Sequence, residues 1–272
     1  MTIILAVTAD EHVGCTAGLC VRPVQMDDGG TWWPSKTQRA IAAAWKQFWD
    51  AVEARAGALD AAVWWANVGD MIDLNRHDAL APVSQNVATL MDLALATYER
   101  PAGLAERRFV VRGTEAHTGP HGELEEMLAR QLEAEVCPET GAHSWYHLLL
   151  ECEGVLFDMA HHPRGGGRLP WTRNATASRI SAELRALYLE QGARVPDIAV
   201  RAHLHAAADS GIVAKPRAFI LDGWQALTPH AYRAGWSVPG AVGGMWFECG
   251  QGKVQETRWS RRLRLPSVWR AN

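Results

Sequence analysis

Ile3-Ile4-Leu5-Ala6-Val7-Thr8-Ala9-Asp10-Glu11-His12 is the stretch whose reading decides the fold. An apolar, β-branched run that breaks into an acid and an imidazole two residues apart reads as a buried strand delivering side chains from its carboxyl end. Residues i and i+2 on extended backbone share a face, so Asp10 and His12 can offer an oxygen and a nitrogen to one cation while Glu11 points away. Open α/β sheets bind ligands at that edge. Asp-x-His alone is a common tripeptide, and its weight depends on whether later strands end alike.

They do. A second apolar run over 61–68 ends in Gly69-Asp70-Met71-Ile72-Asp73, and a third over 107–111 ends in Gly113-Thr114-Glu115-Ala116-His117. A strand over 155–159 runs into His161-His162, and one over 198–201 into His203-Leu204-His205. Between them the periodicity predicts helices over 36–56, capped by Ser35, and over 81–98, 121–135 and 174–190. Residues 144–152 read as one strand joined to 155–159 by a Glu153-Gly154 hairpin turn, and short strands follow near 211–214, 217–221, 244–248 and 254–259. Strand and helix alternate in the first half and strands dominate the second. The expected architecture is therefore α/β: two stacked mixed sheets with helices outside, in one domain over 1–272. Residues 13–35, rich in Gly and Pro, form a long loop beside the first strand tip.

The composition narrows the class. At 272 residues, 48% hydrophobic and 21% charged, the chain has the make-up of a globular protein with a sizeable core. A net charge of -3 excludes a global basic field for nucleic acid, leaving only the local basic stretch 253–270. Five scattered cysteines argue against a disulfide framework and for a reducing compartment. No apolar stretch is long enough to span a membrane and the N-terminus lacks signal-peptide features, so the expected location is cytoplasmic, or host-cytoplasmic if the chain is phage-encoded. Of the 13 tryptophans, Trp45 and Trp49 share a helix face and are expected to fill the core.

Carboxylates mixed with imidazoles suit divalent transition ions such as Mn, Fe, Zn, Ni or Co, and so many ligands suit two ions about 3.5–4 Å apart sharing a carboxylate. Such a pair would clamp a phosphoryl group and hold a bridging hydroxide for in-line attack on phosphorus.

In its blocks D-x-H, G-D-x-x-D, the strand-end histidine and G-H-x-H-like His203-Leu204-His205, the chain resembles the calcineurin-like metallophosphoesterases. The resemblance spans residues 10 to 205. Residues 35–49, 112–119 and 161–173 are also similar to uncharacterised phage-encoded members. The resemblance implies a four-layer αββα sandwich and a dinuclear phosphoesterase. Asp10 and His12 would bind the first ion, Asp70 would bridge both, and Asp73 would support the loop. His161 and His203 would bind the second ion, with His162 as an alternative to His161, and His205 would return to the first.

Where the family has Gly-Asn-His, this chain has Gly113-Thr114-Glu115-Ala116-His117, so Glu115 or Thr114 would replace the Asn oxygen at the second ion. His117 would contact phosphate and assist the leaving group as a general acid. Arg164, Arg168 and Arg173, around Gly165-Gly166-Gly167, could hold a phosphate. The expected substrate is a phosphodiester or phosphomonoester, of nucleotide or nucleic-acid type. The competing readings are a protein or small-molecule phosphatase and a binding module that has lost catalysis.

Overall fold

The computed structural model describes residues 1–74, 82–163, 172–233 and 240–264, apart from the side chains of Arg173, His230 and Arg233. Arg164 and Arg168 therefore lie outside the described residues, as does the side chain of Arg173. In chain order the elements are β1 (Ile3–Thr8), β2 (Val24–Gln25), β3 (Thr31–Trp32), α1 (Lys36–Leu59), β4 (Ala62–Asn67), α2 (Val87–Leu104), β5 (Arg107–Val111) and α3 (Glu115–Thr118). Then follow α4 (Glu123–Gln131), β6 (Ser144–Trp145), β7 (Leu148–Cys152), β8 (Val155–Met159), α5 (Arg173–Glu190) and β9 (Ile198–Arg201). The last are β10 (Ala208–Asp209), β11 (Arg217–Ile220), α6 (Pro229–Arg233), β12 (Ala241–Gly250) and β13 (Lys253–Arg262).

One sheet has the order β13-β12-β1-β4-β5-β6 and the other β10-β11-β9-β8-β7. Both are mixed: β1, β4, β5 and β6 run parallel, as do β8, β9 and β11, while antiparallel strands close the β13 edge of the first sheet and both edges of the second. Leu5, Val7, Phe109 and Phe247 of the first sheet pack on Leu150, Phe157, Val200 and Phe219 of the second. On the outer face of the first sheet, Ile4, Val63, Trp65 and Trp246 meet Ile41, Trp45, Phe48 and Trp49 of α1 and Leu90 of α2. A smaller core sets Ala177 and Ile180 of α5 on Ala199, Ala218 and Ile220. These contacts make four layers, αββα. They also explain why β1 is buried on both faces: parallel central strands are covered on each side, so the run is continuously apolar rather than alternating.

Local chemistry sets the element ends. Ser35 and Gln38 form a reciprocal capping box at α1. Trp45 and Trp49 lie in its buried stripe, as expected. Glu153 and Gly154 both take positive φ in the β7–β8 turn, which is the twist a two-residue hairpin requires.

Three expectations need correction. The helix expected over 81–98 occupies Val87–Leu104, because Asn86 caps it and Pro101 is accommodated near its end. The strand expected over 144–152 is two: β6 pairs with β5 in the first sheet and β7 with β8 in the second, so the chain changes sheets at Tyr146-His147. Residues 211–214 are a turn with Ile212 and Val213 exposed, and the strand lies instead at Ala208–Asp209. No described helix is long and apolar enough to cross a membrane.

Candidate metal centre

The strands β1, β4 and β5 of one sheet and β8 and β9 of the other end at one edge, where backbone bonds knit their loops together. Asp10 N–H donates to the Gly69 carbonyl, His12 N–H to that of Asp70, and Trp224 N–H to that of Asp10, each at 2.9 Å. The loops approach so closely that side chains are excluded. A Cβ on Gly69 would lie 2.7 Å from both Gly113 Cα and His161 Nδ1, and one on Gly113 would overlap the Asp70 amide and carboxylate. Asp10, His12, Asp70, His203 and His205 all have positive φ, a left-handed conformation costing on the order of 1 kcal/mol each. The chain turns sharply at each strand tip and aims these side chains inward.

Four overlapping groups of donor atoms result, each within 4.8 Å: Asp10/His12/His205, His12/Asp70/His117, Asp10/Asp70/His161 and His161/His162/His203. His12 Nε2 and His205 Nε2 are 3.2 Å apart, and His205 Nε2 lies 3.3 Å from Asp10 Oδ1. His161 Nε2 is 3.0 Å from Asp70 Oδ2. His161 Nδ1–H donates to the Val68 carbonyl at 2.7 Å, which turns Nε2 into the cluster. The His117 ring is held through Nδ1 by Asp73 Oδ1 at 3.1 Å and packs edge-on against His12 at 4.5 Å between centroids.

The electrostatics call for a cation. Asp10 and Asp70 are 0% and 1% exposed, and among the described residues their ion pairs are all with imidazoles. Two buried carboxylates without an arginine or lysine are costly unless positive charge is supplied. Burial alone would raise the Asp10 pKa, but the neighbouring His205 and His161 bring it down to about 2. Burial would lower that of His161, yet Asp70 and Asp10 hold it up at about 10, while burial and His161 push His203 down to about 4. Burial opposes protonation of His117 too, and Asp73 and Asp70 overcome it, leaving that imidazole raised. This donor set, carboxylates with imidazoles and no fixed countercation among the described residues, fits divalent transition ions.

Of the fourteen expected site residues, the eleven whose side chains are described divide clearly. Asp10, His12, Asp70, His117, His161, His162, His203 and His205 come together. Asp73 supports His117, and the Thr114 hydroxyl lies 3.2 Å from Asp70 Oδ2. Glu115 does not reach the cluster, which corrects the expectation that it could serve the second ion. It is the first residue of α3, its carboxylate is 69% exposed, and it faces His121.

Two buried acids, Glu11 and Glu125, lie behind the site. Glu11 turns away from the ligands, as expected, and accepts from Asn67 Nδ2 at 2.9 Å and Tyr98 OH at 3.3 Å; burial raises its pKa to about 8. Glu125 accepts from the backbone N–H of Met71 and Gly113, tying two strand tips together. Its signal was present: Glu125 lies three residues before Leu128 and seven before Leu132, on the apolar stripe of its helix.

No protein-family model and no curated protein matches the chain. Solved structures similar to it include Vacuolar Protein Sorting 29 from Cryptosporidium parvum, at 11% identity and a TM-score of 0.36, covering 96% of this chain and 99% of that one. The NAD nucleotidase of Haemophilus influenzae is 12% identical with a TM-score of 0.39, covering 97% of this chain and 50% of that one. The Thermus thermophilus sulfate thiohydrolase SoxB is 11% identical with a TM-score of 0.41, covering 97% and 58% respectively.

Proposed function

We propose that the chain is a dinuclear-metal-dependent phosphoesterase, folded as one domain and related to the calcineurin-like metallophosphoesterases that its sequence blocks resemble. The observation that carries this reading is the overlap of the four donor groups: Asp10, His12, Asp70 and His161 each belong to two of them. Such sharing suits two adjacent cation sites and not one.

In this reading Asp10, His12 and His205 hold the first ion, His161 and His203 hold the second, and Asp70 serves both. Two divalent ions there would neutralise phosphate oxygens and supply a water acidic enough to attack phosphorus near neutral pH. The residues do the rest. Positive φ at the strand tips fixes the ligand directions before substrate arrives. His117, held by Asp73 and with its pKa raised, carries a proton at the partly open side of the cluster and gives it to the leaving oxygen. Arg164, Arg168 and Arg173 bind further phosphate or nucleotide charge, which makes nucleotides or nucleic acids the favoured substrates.

Metal analysis combined with hydrolysis of bis-p-nitrophenyl phosphate tests this. The expected result is two equivalents of a divalent ion and turnover with at least one of Mn, Co, Ni or Zn. Fewer than two equivalents, with no turnover under any of these ions, would leave a binding module as the better account.

A further inference from the structure

The third strand tip departs from the resembled pattern, and its geometry identifies what takes the place of the Asn oxygen. Thr114 Oγ1 lies 3.2 Å from Asp70 Oδ2, 3.4 Å from His161 Nε2, 3.2 Å from His162 Nε2 and 3.3 Å from His203 Nδ1. Ligands bound to one ion at about 2.0–2.1 Å sit about 3.0 Å apart along an octahedral edge and about 3.4 Å along a tetrahedral one. All four separations fall at that spacing, as does the 3.0 Å between His161 Nε2 and Asp70 Oδ2. Thr114 also fixes the shared carboxylate, since its backbone N–H donates to Asp70 Oδ1. His162 and His203 are exposed where His161 is buried, so the group opens toward solvent on one side.

We infer that the second cation site is a three-imidazole site, His161, His162 and His203, completed by the Thr114 hydroxyl and Asp70. The inference rests on the dinuclear reading above and extends it. Adjacent histidines on one strand end both contribute, so His162 adds to His161 and does not substitute for it. Nitrogen outnumbers oxygen in this site, whereas Asp10, His12, His205 and Asp70 supply equal numbers to the first. The second site is accordingly one for borderline ions, Zn, Co or Ni, and discriminates against Mn more strongly than the first.

Titration of the metal-free protein with Co²⁺, followed by visible absorption and by metal content after equilibrium dialysis, tests the assignment without any activity measurement. The wild type is expected to bind two equivalents. Thr114→Val and His162→Gln should each weaken one equivalent by about tenfold or more and leave the other unchanged. Thr114→Ser, which keeps the hydroxyl, should restore the wild-type titration, and Glu115→Gln should not alter it. The same dialysis with Mn²⁺ should show the larger loss of affinity at the equivalent that Thr114→Val weakens.

Two wild-type equivalents that survive both Thr114→Val and His162→Gln would overturn this assignment while leaving the dinuclear reading intact. Loss of an equivalent in Glu115→Gln would do the same. A wild type that binds fewer than two would overturn both. Circular dichroism of each variant separates loss of a ligand from loss of fold, and a well-folded Thr114→Ser that fails to recover binding also counts against the hydroxyl.

Discussion

Asp70 and Asp158 are both buried carboxylates, one at a strand tip and the other inside β8, and they are surrounded differently. Asp158 is fully enclosed and satisfied: Arg201 Nη2 donates to it at 2.6 Å and Tyr188 OH at 2.8 Å, and His147 Nε2 lies 2.9 Å away. Arg201 also donates to the carbonyls of Asp158 and Val200, so the pair clamps β8 to β9. Among the described residues Asp70 forms its ion pairs with His12 and His161, which are themselves candidate ligands. One cluster carries its own cation and holds the sheet together. The other holds converging acids and imidazoles in strained backbone, an arrangement that favours binding a cation over stability.

The largest expected effect tests the functional half of that contrast. Asp70→Asn should lower turnover by more than about 1,000-fold, the scale on which a principal electrostatic group is lost. In metal-free protein the same change should lower the urea midpoint by less than an Asp158 variant does, because Asp70 is paired with imidazoles that can release their protons and not with a fixed guanidinium. A fall in metal-free stability matching that of an Asp158 variant would break the comparison.

Asp158→Ala should behave in the opposite way, costing roughly 3 kcal/mol in urea unfolding because it strands the Arg201 guanidinium, while two metal equivalents still bind. Part of that loss should return in the Asp158→Leu/Arg201→Met double variant, and a double-mutant cycle measures how much. His117→Gln should reduce turnover about a hundredfold with both equivalents retained. Loss of an equivalent would instead make His117 a ligand alongside His12 and Asp70.

Acid should act on the structural cluster in a defined direction. Burial would raise the Asp158 pKa, but the His147 hydrogen bond and the Arg201 charge hold it down at about 2, against an ordinary 3.8. A depressed carboxylate stabilises the fold above its unfolded pKa and loses that contribution as pH falls through the folded value. The contribution, roughly 2 kcal/mol, is therefore complete above about pH 4 and lost toward about pH 2. The stability gap between wild type and Asp158→Asn should narrow across that window in acid-unfolding curves. The smallest change, Tyr188→Phe, removes one of three partners of Asp158 and should cost roughly 1.5 kcal/mol by urea unfolding.

Much of this could be read from the chain because its signals are local. The apolar run Ile3–Thr8, the cap at Ser35 and the Glu153-Gly154 turn each depend on a few neighbouring residues, and each forms as expected. The break within 144–152 was not legible, because Leu148, Leu150 and Cys152 alternate properly and only pairing partners place β6 and β7 in different sheets. His147 had no support as a functional residue in sequence, and its contact with Asp158 crosses from one segment to another. Glu125 stands on an apolar stripe, which marks it as buried, but what it holds depends on the Met71 and Gly113 amides that only the fold brings to it.

The sequence by itself determined the order of the strand tips and the residue types they present, since period and composition act over a few residues. It also placed Asp10, Asp70, His161, His203 and His205 at those tips. Only the tertiary structure shows that the Thr114 hydroxyl lies against the cluster and the Glu115 carboxylate does not, because helix α3 begins at Glu115 and turns that carboxylate outward. Whether His12 faces His205 across 193 residues is likewise a matter of two sheets meeting at one edge, and no local pattern contains that distance.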